Sequence, residues 1–166
     1  ISHKTEVGGV RLYLSAPDEV KRAAIEMAEL AVRAVPNAIV DGFTVQSMVD
    51  GVEMLVGCRT DPMYGPLIAV GAGGITVEVY RDIAFRLLPV TTEIVEDMLL
   101  ELKSSALLDG FRGAPPRDRT AFIETVCTLG DLFLQNRSWL REIEINPITI
   151  LARGDGIRAV DVRIIR

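Results

Sequence analysis

Apolar side chains recur at helical spacing in three stretches of this chain and alternate or run together between them. Val20, Ala24, Met27, Ala31 and Ala34 share one face of a helix predicted over about residues 18–35. Pro17 suits its first turn, Asp18 is the cap candidate and Pro36-Asn37 ends it. A second helix starts at Thr91 or Thr92 and buries Ile94, Val95, Met98, Leu99 and Leu102. A third, after Pro116, presents Phe122, Val126, Leu129 and Phe133. The rest reads as strands. Residues 10–14 alternate, and residues 43–48 and 52–58 are β-rich runs around Asp50-Gly51, a hairpin signal. Residues 61–66 form a turn, 67–70 a buried strand and 71–74 a glycine loop. Residues 75–80 predict a further strand, and 83–88 are apolar apart from Arg86. Residues 142–151 and 157–165 predict a closing hairpin about Arg153-Gly154-Asp155-Gly156. Clustered strands with short turns, flanked by helices, predict an α+β fold with a mainly antiparallel sheet.

Charge narrows the function classes. Eighteen basic against 23 acidic side chains leave a net charge of −5, without the positive footprint a nucleic-acid reader needs. No apolar run approaches the roughly 20 residues that span a bilayer, so no membrane partner is expected. Cys58 and Cys127 lie in apolar surroundings and read as reduced core thiols, which favours a cytoplasmic setting. The opening Ile1-Ser2-His3-Lys4 has neither an initiator Met nor a signal pattern and reads as part of a longer protein.

Several familiar sites are excluded. The sequence has no G-x-x-x-x-G-K-[ST] loop and no G-x-S-x-G elbow, and Thr76 breaks G-x-G-x-x-G at Gly71. One His and two distant Cys do not make a zinc site. In the closing hairpin, a turn centred between Arg153 and Gly154 places Asn146 opposite Asp161, with Glu144 and Glu142 on Asn146's face. Hard oxygen ligands of this kind suit magnesium, and a plain solvated face has the same spacing. Pro147 interrupts the ladder there. The opening His3-Lys4-Thr5-Glu6-Val7-Gly8-Gly9 combines a cation, a phosphoryl acceptor and a Gly pair whose amides can cradle phosphate, or it is a frayed terminus. Gly73 and Gly74, with Glu78 and Arg86 beyond, form either a phosphate-facing group or a strand-joining loop with a surface ion pair. Glu53 is a carboxylate within an apolar run, costly if turned inward without a partner.

Together these segments resemble the ATP-grasp domain of ADP-forming acyl-CoA synthetases. His3 to Val10 is similar to that family's HK-[ST]-EVGGV segment, and Gly51-Val52-Glu53 with Val56-Gly57 to its next block. Asp61-Pro62 through Tyr64-Gly65-Pro66 resembles its DP-x-[FY]-GP turn. Gly71-x-Gly73-Gly74, Glu78 and Asp82-x-Ala84-Phe85-Arg86 resemble its G-x-GG…VE…D-x-AFR stretch. Leu107-Leu108-x-Gly110-x-Arg112-Gly113, Glu144-Ile145-Asn146-Pro147 and Asp161-x-Arg163-Ile164 complete seven ordered blocks.

The resemblance implies the carboxy-terminal part of an ATP-grasp domain, with residues 1–15 as a phosphate-loop and strand remnant of the first subdomain and 16–166 as the remainder. It implies ATP/ADP and Mg2+ as cofactors, with Asn146 and Asp161 as metal ligands and Glu144 beside the phosphoryl-transfer site. His3 inherits the relay between a phosphohistidine loop and the nucleotide. Lys4, Gly8, Gly9, Gly73, Gly74, Glu53 and Glu78 inherit nucleotide-site positions, and Arg86 charge neutralisation. Expected partners are CoA-binding and phosphohistidine-bearing ligase domains, in the same protein or a second subunit, with homo-oligomers as a further arrangement. The isolated 166 residues are expected to be inactive and to bind ATP weakly. A non-catalytic module of a protein acetyltransferase fusion is the alternative; a carboxylate–amine ligase is disfavoured by the HK-[ST]-EVGGV match.

Overall fold

The structure is a computed structural model and describes residues 8–35, 39–74 and 81–166. The chain divides into two compact units, Ile1–Met48 and Val49–Arg166.

The first unit contains helix α1, Pro17–Ala34. Pro17 fixes the first turn, so the cap falls at Ala16 rather than Asp18. Glu19 does the capping work instead: its carboxylate accepts from Ser15 N at 2.8 Å, Ser15 Oγ at 3.0 Å and Ala16 N at 3.3 Å. Residues 10–14 form no strand, and Tyr13 sits at φ +59°. The helix end expected at Pro36-Asn37 lies outside the described residues, as does the strand expected over 75–80.

The second unit is one antiparallel sheet with helices against one face. Strands β1 (Val52–Asp61), β2 (Gly65–Ala72) and β3 (Ile83–Leu87) form a meander, and β4 (Glu142–Ile150) pairs with the free side of β1. Strands β5 (Ile157–Ala159) and β6 (Val162–Ile165) both return along β4, so the order is β3-β2-β1-β4-β5, with β6 on β4. Between β3 and β4 lie α2 (Thr92–Glu101), a 3-10 turn (Lys103–Leu107) and α3 (Arg119–Asn136). Thr91 caps α2, its side chain accepting from Ile94 N at 3.4 Å.

Strand alternation explains the core. Met54, Val56 and Cys58 of β1, Ile68 and Val70 of β2, and Ile143, Ile145, Ile148 and Ile150 of β4 form one cluster with Val95, Met98 and Leu99 of α2 and Phe122, Val126 and Phe133 of α3. Burial pushes the Cys58 thiol up to about 12, so it is an inert apolar side chain.

The β1–β2 turn shows how local chemistry sets the register. Asp61 Oδ1 accepts from Met63 N at 2.8 Å and Tyr64 N at 3.0 Å, and Gly65 takes φ +85°. The hairpin expected about Asp50-Gly51 does not form: residues 43–48 are not a strand. Both sides of β1 are taken, by β2 and β4. Gly51 instead lies against β4, where a Cβ would come within 2.5 Å of Ile150 O.

Candidate functional site

The closing hairpin has the register predicted from its turn. Ile148 pairs with Ala159, Ile145 with Val162 and Glu144 with Arg163, so Asn146 stands opposite Asp161. Asn146 N donates to Asp161 O at 3.0 Å. Directly opposed residues of an antiparallel pair carry Cβ atoms about 5 Å apart on one face. Pro147 does not spoil this register, because it sits in a bulge: Met54 faces Ile148 and Val56 faces Ile145, leaving Leu55 opposite both Asn146 and Pro147. The Asn146–Pro147 peptide is cis, and Pro147 O accepts from Val160 N at 3.0 Å.

Asn146 and Glu144 project from the face opposite the helices, where Gly74 meets Asn146 and is itself flanked by Gly73 and Glu53. Gly74 N donates to Asn146 Oδ1 at 2.9 Å. Gly73 N donates to Glu53 O at 3.0 Å. A Cβ on Gly74 would lie 2.7 Å from Glu53 Oε2, which places that carboxylate against the loop. A Cβ on Gly73 would come within 2.6–2.7 Å of the Met54 backbone, so only glycine fits the loop against β1 there. Glu53 is exposed, which removes the cost of an inward carboxylate. The feature that brings residues 53, 73–74 and 146 together is the β2–β1–β4 pairing.

Arg163 is a residue that sequence reasoning left without a role. It stands opposite Glu144, yet its guanidinium donates to the neighbouring Glu142 carboxylate. That hydrogen bond and the charges of Glu142 and Glu144 raise its pKa, so it is a fixed cation beside Glu144. The hairpin register alone would have identified it.

Other expected site residues lie elsewhere. Arg86 pairs in register with Ile68, on the helix-bearing face, and its guanidinium binds Glu101 at the end of α2. It is therefore not brought to the Asn146 group. Asp82, at the other end of the same motif, accepts from Lys103 N at 2.9 Å and Ser104 N at 2.7 Å and so caps the 3-10 turn. Burial alone would raise its carboxyl, but the Ser104 and Lys103 hydrogen bonds outweigh that and hold it low. The D-x-AFR motif thus ties the edge strand to the helical layer. Gly8 and Gly9 belong to the first unit, where Gly8 takes φ +69° and a Cβ would lie 2.9 Å from Leu30 Cδ1. An open groove of about 310 Å³ in that unit is lined by Arg11, Tyr13, Glu19, Arg22 and Glu26, none of them an expected site residue. His3, Lys4 and Glu78 lie outside the described residues.

The donor set fits a magnesium ion that keeps much of its own shell. Asn146 Oδ1 spends one lone pair on Gly74 and retains a second. Asp161, exposed beside it, adds a hard anionic oxygen. Among the described residues no cluster of three or more His, Cys, Asp or Glu side chains could hold a metal by itself. Two protein oxygens, completed by water and phosphate, match magnesium's preference.

A family profile for the ATP-grasp domain matches residues 1–165. The chain is 32% identical over 166 residues to the beta subunit of acetate–CoA ligase [ADP-forming] II from Pyrococcus furiosus, covering 99% of this chain and 70% of that subunit. The chain belongs to the ATP-grasp domain family of ADP-forming acyl-CoA ligases.

This ATP-grasp domain is also 36% identical over 165 residues to 4-hydroxybutyrate–CoA ligase [ADP-forming] from Nitrosopumilus maritimus, covering 99% of this chain and 24% of that protein. It thus spans about a quarter of the length of the longer curated relatives it matches. Among solved structures it resembles the dinucleotide-forming acetyl-coenzyme A synthetase 1 of Candidatus Korarchaeum cryptofilum. In that protein's complex with coenzyme A and Ca-AMPCP the TM-score is 0.85 at 36% identity, with 99% of this domain and 71% of that chain covered. A second complex holds coenzyme A and Mg-AMPPCP, its phosphohistidine segment pointing towards the nucleotide-binding site; there the TM-score is 0.77 at 33% identity, covering 98% of this domain and 70% of that chain.

Proposed function

We propose that this ATP-grasp domain is the nucleotide- and magnesium-binding portion of an ADP-forming acyl-CoA synthetase. The overall reaction joins a carboxylic acid to CoA with ATP conversion to ADP and phosphate, through acyl phosphate and phosphohistidine intermediates. The observation that carries the reading is the convergence of Glu53, the Gly73-Gly74 loop, Asn146 and Asp161 at the bulged hairpin. Its relatives are named as ligases of this reaction class, which favours catalysis over the acetyltransferase-fusion module.

Asn146 and Asp161 would hold the magnesium ion, which supplies neutralisation of the charge on the nucleotide phosphates. The chain's own residues do the positioning. Glu53 O and Asn146 Oδ1 fix the Gly73-Gly74 backbone. Glu144, one row along the hairpin, presents its carboxylate on the same face, and Arg163 opposite it counters the negative charge gathered there. His3 takes the phosphoryl relay, Lys4 and the Gly8-Gly9 amides meet the phosphates, and Glu78 lines the nucleotide site; these roles rest on the resemblance of their motifs. CoA-binding and phosphohistidine-bearing domains would complete the enzyme, on the same chain or on a separate subunit. We place it in the cytoplasm, consistent with its free thiols. Among the described residues no helix is long and apolar enough to cross a membrane.

Phosphoryl transfer from γ-labelled ATP in the intact protein tests the reading. Asp161→Asn should abolish labelling and ligase turnover while leaving the fold intact, because it removes a hard anionic ligand. Normal turnover in that variant would overturn the metal assignment.

A further inference from the structure

We propose that Gly74 is a positioning residue for Asn146: its backbone N–H selects which end of the amide is offered to the metal. This inference rests on the magnesium reading of Asn146 given above. An asparagine amide is nearly symmetric in shape but not in chemistry, with an acceptor at one end and two donors at the other. A cation is held only by the oxygen end. Gly74 N lies 2.9 Å from Asn146 Oδ1, so a flipped amide would set donor against donor. The hydrogen bond thus holds the oxygen end toward the loop, with its second lone pair available for a cation.

The loop that carries this donor is itself held in place. Gly73 N is bonded to Glu53 O at 3.0 Å, and a Cβ on Gly73 would come within 2.6 Å of Met54 O. Gly74, whose N–H reaches Asn146 on β4, takes φ +65°, the left-handed conformation that glycine adopts without strain, and a Cβ there would meet Glu53 Oε2 at 2.7 Å. Glycine at 74 therefore serves two ends: it lets the chain leave the Asn146 contact in the left-handed conformation, and the absent Cβ leaves room for the Glu53 carboxylate. Hydrogen bonds that orient a metal ligand are worth about 10–100-fold in metal affinity.

The test is a double-mutant cycle in the intact protein, with Mn2+ in the presence of ADP as the probe and bound Mn2+ read by electron paramagnetic resonance. Gly74→Ala should weaken Mn2+ binding about tenfold or more. Asn146→Asp presents an acceptor whichever way the side chain turns. In that background the Gly74→Ala penalty should therefore shrink several-fold. An equal penalty in both backgrounds means the substitution acts by displacing the loop and overturns the orientation role. Unchanged Mn2+ binding in Asn146→Ala would instead overturn the metal reading itself, so the two failures are distinguishable. If Gly74→Ala does not fold, amide hydrogen exchange decides. Gly74 N–H should lose protection in Asn146→Ala and keep it in Asn146→Asp; equal protection in both overturns the proposal.

Discussion

Gly73→Ala is the substitution that most directly tests how the candidate site is built. A Cβ at this position would approach Met54 O to 2.6 Å and Met54 C and N to 2.7 Å. Those atoms are backbone in the middle of the sheet and cannot swing aside. The chain at 73 must move instead, by several tenths of an ångström or more. Moving it breaks Gly73 N to Glu53 O and weakens Gly74 N to Asn146 Oδ1. Two part-buried hydrogen bonds at about 1 kcal/mol each, with residual strain of about 1 kcal/mol, give a cost of about 3 kcal/mol. With a urea m-value of about 2 kcal/mol/M, the unfolding midpoint should fall by about 1.5 M. Trp139, the only tryptophan in the sequence, lies in the second unit and gives the fluorescence signal. Gly57→Ala is the matched control, since its Cβ would meet nothing closer than Ile143 O at 3.3 Å; it should cost well under half as much. Gly73→Ala should also weaken MgATP binding to the intact protein. A midpoint within a few tenths of a molar of the wild type, with unchanged nucleotide affinity, would refute the close approach.

Other consequences follow from particular contacts. Phe122→Ala, emptying a fully buried position between α3 and the sheet, should cost about 3–5 kcal/mol by urea unfolding. Asp118 caps α3 through Ala121 N at 3.2 Å and holds the closing turn through Gly156 N at 2.9 Å and Gly154 N at 3.0 Å. Led by the Gly156 bond, these hold its carboxyl below the ordinary 3.8. Its contribution is therefore fully present above pH 3.8 and lost as pH falls through the lower folded value; Asp118→Ala should flatten that part of the acid-unfolding curve and cost about 1 kcal/mol at neutral pH. Arg86→Gln should lower the urea midpoint slightly and leave nucleotide binding unchanged, because its partner is Glu101 on the helical side. A loss of MgATP affinity in that variant, with stability intact, would return Arg86 to the nucleotide site.

Much of the second unit was legible in advance because its signals are local. The apolar stripes of α2 and α3, the Thr91 cap and the glycine turns each depend on residues within a few positions of one another. The final hairpin is the clearest case, since a turn centre fixes every cross-strand partner by counting. Pro147 was read as a threat to that register and proved compatible with it, because a bulge needs one residue without a ladder partner. The misreadings have one origin. Residues 43–48 have the composition of a strand, but β1 takes its two partners from β2 and β4. Residues 10–14 alternate, yet no ladder engages them. Arg86 carries the right charge, but strand parity sends it to the opposite face from Asn146.

The sequence by itself determined the α+β class, the order of most strands and helices, the opposition of Asn146 and Asp161, and, through seven ordered motifs, the family. Periodicity, turn chemistry and motif order are properties of neighbouring residues, so they survive without coordinates. Only the tertiary structure decided which distant segments meet. Gly74 and Asn146 are 72 residues apart, and their 2.9 Å hydrogen bond exists because β1 is sandwiched between β2 and β4. That arrangement is a choice among sheet orders set by the burial of the whole apolar face against α2 and α3. No local pattern encodes it, and the loop, the Glu53 carboxylate and the hairpin share one site because of it.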